Sequence, residues 1–335
     1  MKRKHGGCSI AAVAAALLWS GMIRDSAAQA PAGTAQAYPG RPIRFISPFA
    51  PAGSTDILAR LIGQKLTEAW GQPVIVENRP GAGGTTGSDA VAKSPPDGYT
   101  LLLTSSSAHA IGPALRAKLP YDPVRDFAAV SQVASGYNVL VVHPSLPARN
   151  VQELIALART RPGQLTYSSG GIGTSAHIGG ELFNALGKVD LVHVPYKGGA
   201  PAAVAILSGE VSLAFGSIQT VLPQVRAGRL RALATTGSKR SSAVPELPTS
   251  AEAGVPGYEL NSWYGVLTTG GTPHEIVARL SAEIVRILRL PDVRERLLHE
   301  GVEPAGTTPE EFAAYIKAEI AKWTRVIKAA GARIQ

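Results

Sequence analysis

Ile43-Arg44-Phe45-Ile46 leads into Ser47-Pro48-Phe49-Ala50-Pro51-Ala52-Gly53-Ser54-Thr55-Asp56, and further along Leu165-Thr166-Tyr167 leads into Ser168-Ser169-Gly170-Gly171-Ile172-Gly173-Thr174-Ser175. Both pieces read the same way. A short apolar run is followed by a loop of small residues, then by hydroxyl side chains suited to capping, then by helical periodicity over Ile57–Trp70 and Ala176–Leu186. A strand that hands the chain to a helix N-terminus through such a loop is an α/β unit. In open α/β sheets, ligands sit beyond the carboxyl ends of the strands. Unpaired N–H groups and the positive end of the helix dipole favour an anion there. One such loop in each of two domains, facing across a cleft, makes a clamp for a small carboxylate. Ser54, Thr55 and Asp56 are then expected to cap the first helix, and Thr174 or Ser175 the second, while Gly53 and Gly173 keep space open for the ligand. His177, in the first turn of the second helix, either serves the site as a neutral imidazole or simply packs.

The rest of the chain alternates in the same manner. Strand-like runs fall at Val74–Val76, Leu101–Leu103, Val139–Val142, Leu191–Val194, Val211–Phe215, Leu230–Thr235 and Tyr264–Leu267. Helical periodicity falls at Val151–Thr160, Ala200–Leu207, Ile276–Leu288 and Phe312–Ile327. This predicts an α/β fold with mainly parallel sheets. Helix starts are written at Asn150-x-x-Glu153, Thr272-Pro273-His274-Glu275 and Thr308-Pro309-Glu310-Glu311. Phe312, Tyr315, Ile316, Ile320, Trp323 and Ile327 share one face of the last helix, which reads as a core face. The strand at Val139–Val142 is expected to open a second domain of residues 139–250, leaving 38–138 plus 251–335 to the first.

Lys2-Arg3-Lys4 precede an apolar run, Ile10–Trp19, that is too short for a bilayer-spanning helix of ~20 apolar residues, and small residues follow it. Residues 1–37 therefore read as a signal peptide and linker, cut after Ala28 or Ala37, and the mature protein as soluble and periplasmic. Export removes the one Cys, Cys8, and both Met residues, so neither a disulfide nor thiol chemistry is expected. Lys2, Arg3, Lys4, Arg24 and Asp25 leave as well, which lowers the net charge from +9 to +6. The remaining basic residues are scattered, with Lys239-Arg240 the one adjacent pair, so no nucleic-acid partner is expected. With 335 residues, 45% hydrophobic and 17% charged, the chain has core enough for two domains.

Gly171-Ile172-Gly173-Thr174-Ser175-Ala176 matches a dinucleotide fingerprint. The acid that follows, Asp190, precedes the next strand, whereas the fingerprint needs it at that strand's end. No cofactor is expected. His109, His143, His177, His193, His274 and His299 include no i, i+4 pair, so no helical metal site is expected. Neither G-x-S-x-G nor H-E-x-x-H occurs. Ser175, His109 and Asp56 can be assembled on paper into a hydrolase triad, which keeps an exported hydrolase of small esters or amides as the alternative to a binding protein without catalysis.

Taken in order, Pro48–Asp56, Glu77–Gly84, Pro96–Leu101, Leu165–Ser169, His193–Gly198, Gly228–Ala234, Ala251–Tyr258 and Pro309–Phe312 span nearly the whole mature chain. Together they resemble the Bug receptors, the extracytoplasmic solute-binding proteins of tripartite tricarboxylate transporters. The resemblance implies a two-domain Venus flytrap of the type II periplasmic binding protein kind. It implies a small mono- or dicarboxylate held between the domains, largely by backbone groups and waters, and a membrane permease as partner; a monomer is expected. It maps the first ligand loop onto Phe49, Pro51, Ala52, Gly53, Ser54, Thr55 and Asp56, and the second onto Ser168, Ser169, Gly173, Thr174, Ser175 and His177. Further cleft contacts map onto Ser105, Ser106, Ser107, His109, Gly216 and Ser217. A subunit that reports ligand to a signalling receptor would use the same clamp, so sensing stands beside transport. Two positions depart from the family pattern. Ala52 stands where Gly is common, and allows close backbone approach if its φ is negative. Gly216 stands where Asp is usual, which removes an acceptor for a ligand ammonium or hydroxyl and favours a plain carboxylate over an amino acid.

Overall fold

The computed structural model describes residues 38–116 and 118–330; the expected signal segment, its cleavage sites, Cys8 and the two Met residues lie outside them. The chain runs β1 (Ile43–Ser47), α1 (Ser54–Trp70), β2 (Val74–Asn78), α2 (Thr85–Ala92) and β3 (Thr100–Ser105). Helix α3 is a π-wound turn, Ser107–Ile111, continued by Gly112–Leu115. Then come β4 (Phe127–Val142), α4 (Val151–Thr160), β5 (Thr166–Ser169), α5 (Ser175–Gly187), β6 (Val192–Pro195), α6 (Gly199–Leu207), β7 (Leu213–Ser217), α7 (Ile218–Arg226) and β8 (Arg231–Thr235). The last elements are β9 (Asn261–Thr269), α8 (His274–Leu288), α9 (Pro291–His299), the two-residue β10 (Glu303–Pro304) and α10 (Pro309–Ala330).

Hydrogen bonding is continuous along β2-β1-β3-β9-β4-β7-β5-β6, with β8 and β10 attached to β4. β1 is parallel to β2 and β3, and β5 to β6 and β7, whereas β4 and β9 are antiparallel to their neighbours. The hub is β4, 16 residues long. Up to Tyr137 it pairs with β9 and β10, and from Asn138 onward with β7 and β8. The sheet is thus mixed where mainly parallel pairing was expected, and β4 is shared between two halves, its partners changing between Tyr137 and Asn138. Residues 251–260 pack against the 139–250 segment. Tyr258 donates to the Gly179 carbonyl (2.9 Å), its ring lies 6.2 Å from Phe215, and Gln152 donates to the Ala253 carbonyl (3.1 Å).

Successive strand residues enter opposite faces of the sheet. Ile43, Phe45, Leu101, Leu103, Val139 and Val141 join one core with side chains of α1, α6, α7 and α8. Ile46, Leu102, Leu140 and Val142 join the other with side chains of α4, α5 and α10. Burial on both faces is why these strands read as unbroken apolar runs. Each core crosses both halves, so the shared sheet, and not a linker, carries the second half on the first.

Two helix starts are capped by side chains. Asn150 Oδ1 accepts from the Glu153 N–H (2.8 Å), while Glu153 accepts from the N–H of Arg149, one residue before the cap (2.7 Å). Thr308 and Glu311 form a reciprocal capping box, with Thr308 Oγ1 accepting from the Glu311 N–H (3.2 Å) and Glu311 accepting from the Thr308 N–H (2.9 Å). Thr272 differs: α8 starts at His274 behind Pro273, and the Thr272 hydroxyl donates to the Thr269 carbonyl (2.7 Å). On α10, Phe312, Ile316, Trp323 and Ile327 are buried, and Tyr315 sits at the rim, 37% exposed.

Candidate binding cleft

The carboxyl ends of β3, β5 and β7, the loop after β1, and the first residues of α1, α3, α5, α6 and α7 converge on one cavity. Its enclosed volume is about 80 Å³, within a space of about 680 Å³ that includes the open mouth. Phe49, Gly53, Ser54, Thr55, Ser105, Ser106, Ser107, Ser168, Ser169, Thr174, Ser175, Gly216 and Ser217, all expected from the sequence, line it. No Lys, Arg, His, Asp or Glu lines it. Its polar wall is made of hydroxyls, the Asn138 amide and backbone at helix starts.

The two loops that face each other across it are built differently. In the first, the expected hydroxyl caps are corrected. Helix α1 begins at Ser54, with Gly53 as an N-cap that makes no side-chain cap bond. Ser54 Oγ donates to Ser217 Oγ across the cleft (2.8 Å), and Thr55 Oγ1 pairs with Ser47 Oγ (2.8 Å). Asp56 instead reaches back and accepts from the Ala52 N–H (2.9 Å), with Arg60 beside it at 3.0 Å. Burial pushes the Asp56 carboxyl up, but hydrogen bonds from Arg60, Ala52 and Asn78 outweigh it and hold the group below the usual range. Ala52 has φ +60°, a left-handed conformation that an L-residue adopts at a cost, so the expected negative φ is not found. Pro51, Ala52 and Asp56 lie outside the cavity wall.

In the second loop Thr174 is the N-cap, as expected. Its hydroxyl accepts from the His177 N–H (3.4 Å) and donates to the Gly171 carbonyl (2.7 Å). Gly173 has φ +82° and stands outside the wall, so it serves the turn and not the cavity. His177 packs. Its Nδ1 accepts from the Gly173 N–H (3.2 Å) and its ring lies 4.2 Å from His193, which bonds Ser169 Oγ (2.6 Å) and stacks on Tyr167. Burial lowers the pKa of both imidazoles, and that of His193 falls to about 4 with His177 adding to the effect.

Ser107 Oγ donates to Ser175 Oγ (3.1 Å) and accepts from the Ser175 N–H (2.9 Å), a second hydroxyl bridge between the halves. Asn138 Nδ2 reaches the Phe215 carbonyl (2.9 Å) and Ser175 Oγ (3.3 Å). Ser106 Oγ is buried with no protein partner. His109 is a core residue, outside the cavity wall. Its Nε2 bonds the Pro123 carbonyl (2.7 Å), its ring meets Phe127 edge-on, and burial lowers its pKa to about 4. Ser175, His109 and Asp56 are thus each engaged elsewhere and form no triad. Gly216 lines the cavity opposite Val221, whose γ-methyl fills the place a β-carbon at 216 would take.

Gly170 and Ala176, within the expected second loop, line the cavity too, and Asn138, Gly199, Ala202, Ala203, Ala214, Val221, Ser262 and Tyr264 line it without having been anticipated. Gly198-Gly199 did carry a signal, since it follows a strand and opens a helix as the two quoted loops do. Ser217 as the start of α7 was masked by Pro223 inside that helix. Asn138, Ser262 and Tyr264 sit within or at the start of strands, where their orientation follows from pairing alone. Among the described residues, no group of three or more His, Cys, Asp or Glu could hold a metal, and no helix is long and apolar enough to cross a membrane.

Residues 58–332 match the model of the tripartite tricarboxylate transporter family receptor. The chain belongs to this receptor family. The receptor is 39% identical over 303 residues to Protein BugT of Bordetella pertussis, covering 90% of this chain and 93% of BugT. It is similar to the structure of Rpa4515 from R. palustris with adipate, at 39% identity and TM-score 0.85, covering 88% of this chain and 98% of that one. It is also similar to MatC from Rhodopseudomonas palustris with bound malate, at 34% identity and TM-score 0.83, covering 87% and 100%. The receptor therefore has the α/β Venus flytrap fold of solute-binding proteins, and the members of its family are receptors, not hydrolases.

Proposed function

We propose that this receptor captures a small carboxylate outside the cytoplasm and presents it to a membrane permease, without covalent chemistry on the ligand. One observation carries this reading: a cavity between two halves whose polar wall is neutral and built from hydroxyls and helix starts. An ionised carboxylate entering it meets N–H dipoles and hydroxyl donors, the arrangement helix N-termini offer to anions. The carboxyl ligands of Rpa4515 and MatC support the same class here. Ser54, Thr55, Ser106, Ser107, Ser168, Ser169, Thr174, Ser175 and Ser217 are the residues proposed to hold it, directly or through water. The two halves act as domains that close on the ligand, with β4 as their common element. Periplasmic residence is supported by the signal-like residues 1–37, and a monomer suffices because one chain supplies both faces of the cleft.

The test is a thermal-shift screen of mono- and dicarboxylates, with recovery of the ligand afterwards. A carboxylate present at 100 times its Kd stabilises by about 2.7 kcal/mol and comes back chemically unchanged. No shift with any carboxylate, or conversion of the ligand, contradicts the reading.

A further inference from the structure

The second ligand loop leans on two histidines that stand outside the cavity wall. His193 on β6 pairs in register with Tyr167 on β5, and its ring stacks on that tyrosine at 5.0 Å. His177, in the first turn of α5, places its ring 4.2 Å from His193. Each ring holds one atom of the loop. His177 Nδ1 accepts from the Gly173 N–H (3.2 Å), and His193 Nε2 bonds Ser169 Oγ (2.6 Å). From these two anchors the chain delivers Ser169, Thr174 and Ser175 to the cavity, where Ser175 meets Ser107 of the first half.

The two bonds set the charge that the pair carries. To accept, His177 Nδ1 must be without a proton, so the ring is neutral with its proton on Nε2. A proton on Nδ1 sets two donors face to face and breaks the bond to Gly173. A neutral His193 can accept the Ser169 hydroxyl proton, whereas a charged one only donates. It then turns that hydroxyl onto the Gly171 carbonyl (3.1 Å), which already accepts from the Thr174 hydroxyl (2.7 Å) and N–H (3.2 Å). A second proton on the pair would add two like charges 4.2 Å apart. Among the described residues, the other titratable groups facing the pair are Glu181 on α5 and Tyr167 on β5, and the Tyr167 hydroxyl donates to Glu181 Oε1 (2.7 Å). β7, which also packs on α5, has none. Glu181 favours a proton on His177, but burial outweighs it, and both rings are neutral at pH 7. Neither ring is fully buried, so both stay within reach of protons from solvent.

Resting on the reading that this loop holds the ligand, we infer that His177 and His193 are positioning residues for capture: as neutral acceptors they hold the second loop in its binding form, and a proton on the pair releases it. Ligand and proton then compete. The receptor binds at neutral pH and loses affinity in acid, although no titrating group touches the ligand.

The experiment follows, by calorimetry between pH 7 and 5, the affinity of the carboxylate that gives the largest shift in the thermal screen. Wild type is compared with His177→Asn, His193→Gln and His177→Leu. Asparagine offers an acceptor where Nδ1 sits and glutamine one where Nε2 sits, and neither titrates. Wild-type affinity falls by about tenfold or more over this range, beyond the fall that ionisation of the carboxylate itself produces, since each linked proton is worth about tenfold per pH unit. His177→Asn matches wild type at pH 7 and keeps only the pH dependence of the carboxylate, and His193→Gln has a shallower slope than wild type. His177→Leu, without the acceptor, binds weakly at both ends of the range. In wild type the His177 ring protons, followed by NMR, titrate at lower pH with the carboxylate bound than without it. The same slope in wild type and His177→Asn would overturn the inference, as would wild-type affinity in His177→Leu at pH 7. If the variants do not fold, the NMR titration of wild type decides, and a His177 titration indifferent to the carboxylate overturns it. If no carboxylate binds wild type at pH 7, the carboxylate reading itself fails and this inference with it. If one binds with an affinity that follows its own ionisation alone, only this inference fails.

Discussion

The loops at 48–56 and 168–177 share one pattern as sequence, small residues and then a glycine followed by two hydroxyl residues, and are different devices as structure. Each joins a strand to a helix through small residues and delivers hydroxyls to the cavity. The first is closed from inside the helix, by Asp56 reaching back to the Ala52 N–H, and it places its left-handed residue at an alanine. The second is closed from outside, by Thr174 as N-cap, and it places its left-handed residues at Gly171 and Gly173. A strand–loop–helix signature thus encodes where the helix start arrives, while the means of holding it there depends on which residue takes the unfavourable φ. The two glycines that the sequence treats as equivalents part company for the same reason. Gly53 is in an ordinary conformation and lines the cavity; Gly173 is not and does not.

That separation gives the largest expected effect. Gly173→Val forces a β-branched residue to φ +82° and is expected to cost the apo protein about 2–3 kcal/mol. Gly53→Val meets only ordinary contacts at its β-carbon, 3.4 Å from the Ala50 carbonyl and 4.0 Å from the Gly199 nitrogen. It is expected to keep apo stability within about 1 kcal/mol and to lose most ligand affinity, because its methyls enter the cleft. Apo melting beside calorimetric titration checks both. Equal apo stabilities would mean that the loops are equivalent after all.

The caps come next. Asp56→Ala is expected to cost about 1–2 kcal/mol, and Thr174→Ala, whose cap bond is long at 3.4 Å, about 1 kcal/mol or less. Urea unfolding of the two variants tests that order, and the reverse order would show that the outer cap carries more than its geometry suggests.

The loops should also fail in different pH windows. The folded pKa of His193 is about 4, below the free value of 6.5, so between these values the unfolded chain holds the extra proton. The contribution is therefore intact above pH 6.5 and is lost as pH falls toward 4. After allowance for partial exposure it amounts to about 1 kcal/mol, and His193→Gln should flatten the fall in stability between pH 7 and 5. Asp56, whose folded pKa is lowered, contributes above the free aspartate value and loses that contribution only as pH falls through its folded pKa, a more acidic window. Smallest of all, Ala52→Gly relieves the left-handed alanine and should gain up to about 1 kcal/mol, partly offset by the freer unfolded chain. A lower melting temperature would show that the strain is not there.

Much of this was legible in the sequence because double-faced burial writes strands as solid apolar runs, and because caps and glycines punctuate the loops. What stayed hidden has specific causes. The first part of β4, Phe127 to Asn138, shows no clean alternation because its register shifts between Ala129 and Ser131 and again between Gln132 and Ala134. Each bulge moves the following side chains to the other face. The sharing of one sheet by both halves was invisible for that reason. So was the arrival of Asn138 at the cavity, which depends on which strands flank β4. Helix α7 was hidden by Pro223, and α9, with few apolar residues, by a weak periodic signal.

The central claim is that an ionised carboxylate is held by neutral donors that do not titrate. Calorimetric titration of the wild-type receptor at pH 7 with the carboxylate that gives the largest shift in the thermal screen, repeated in buffers of different ionisation enthalpy, tests it most directly. The account predicts the same binding heat in every buffer, since neither the ligand nor any group lining the inner cavity changes protonation. A buffer-dependent heat equivalent to roughly one proton per ligand would contradict it, because a titrating side chain or a protonated ligand would then be part of the site.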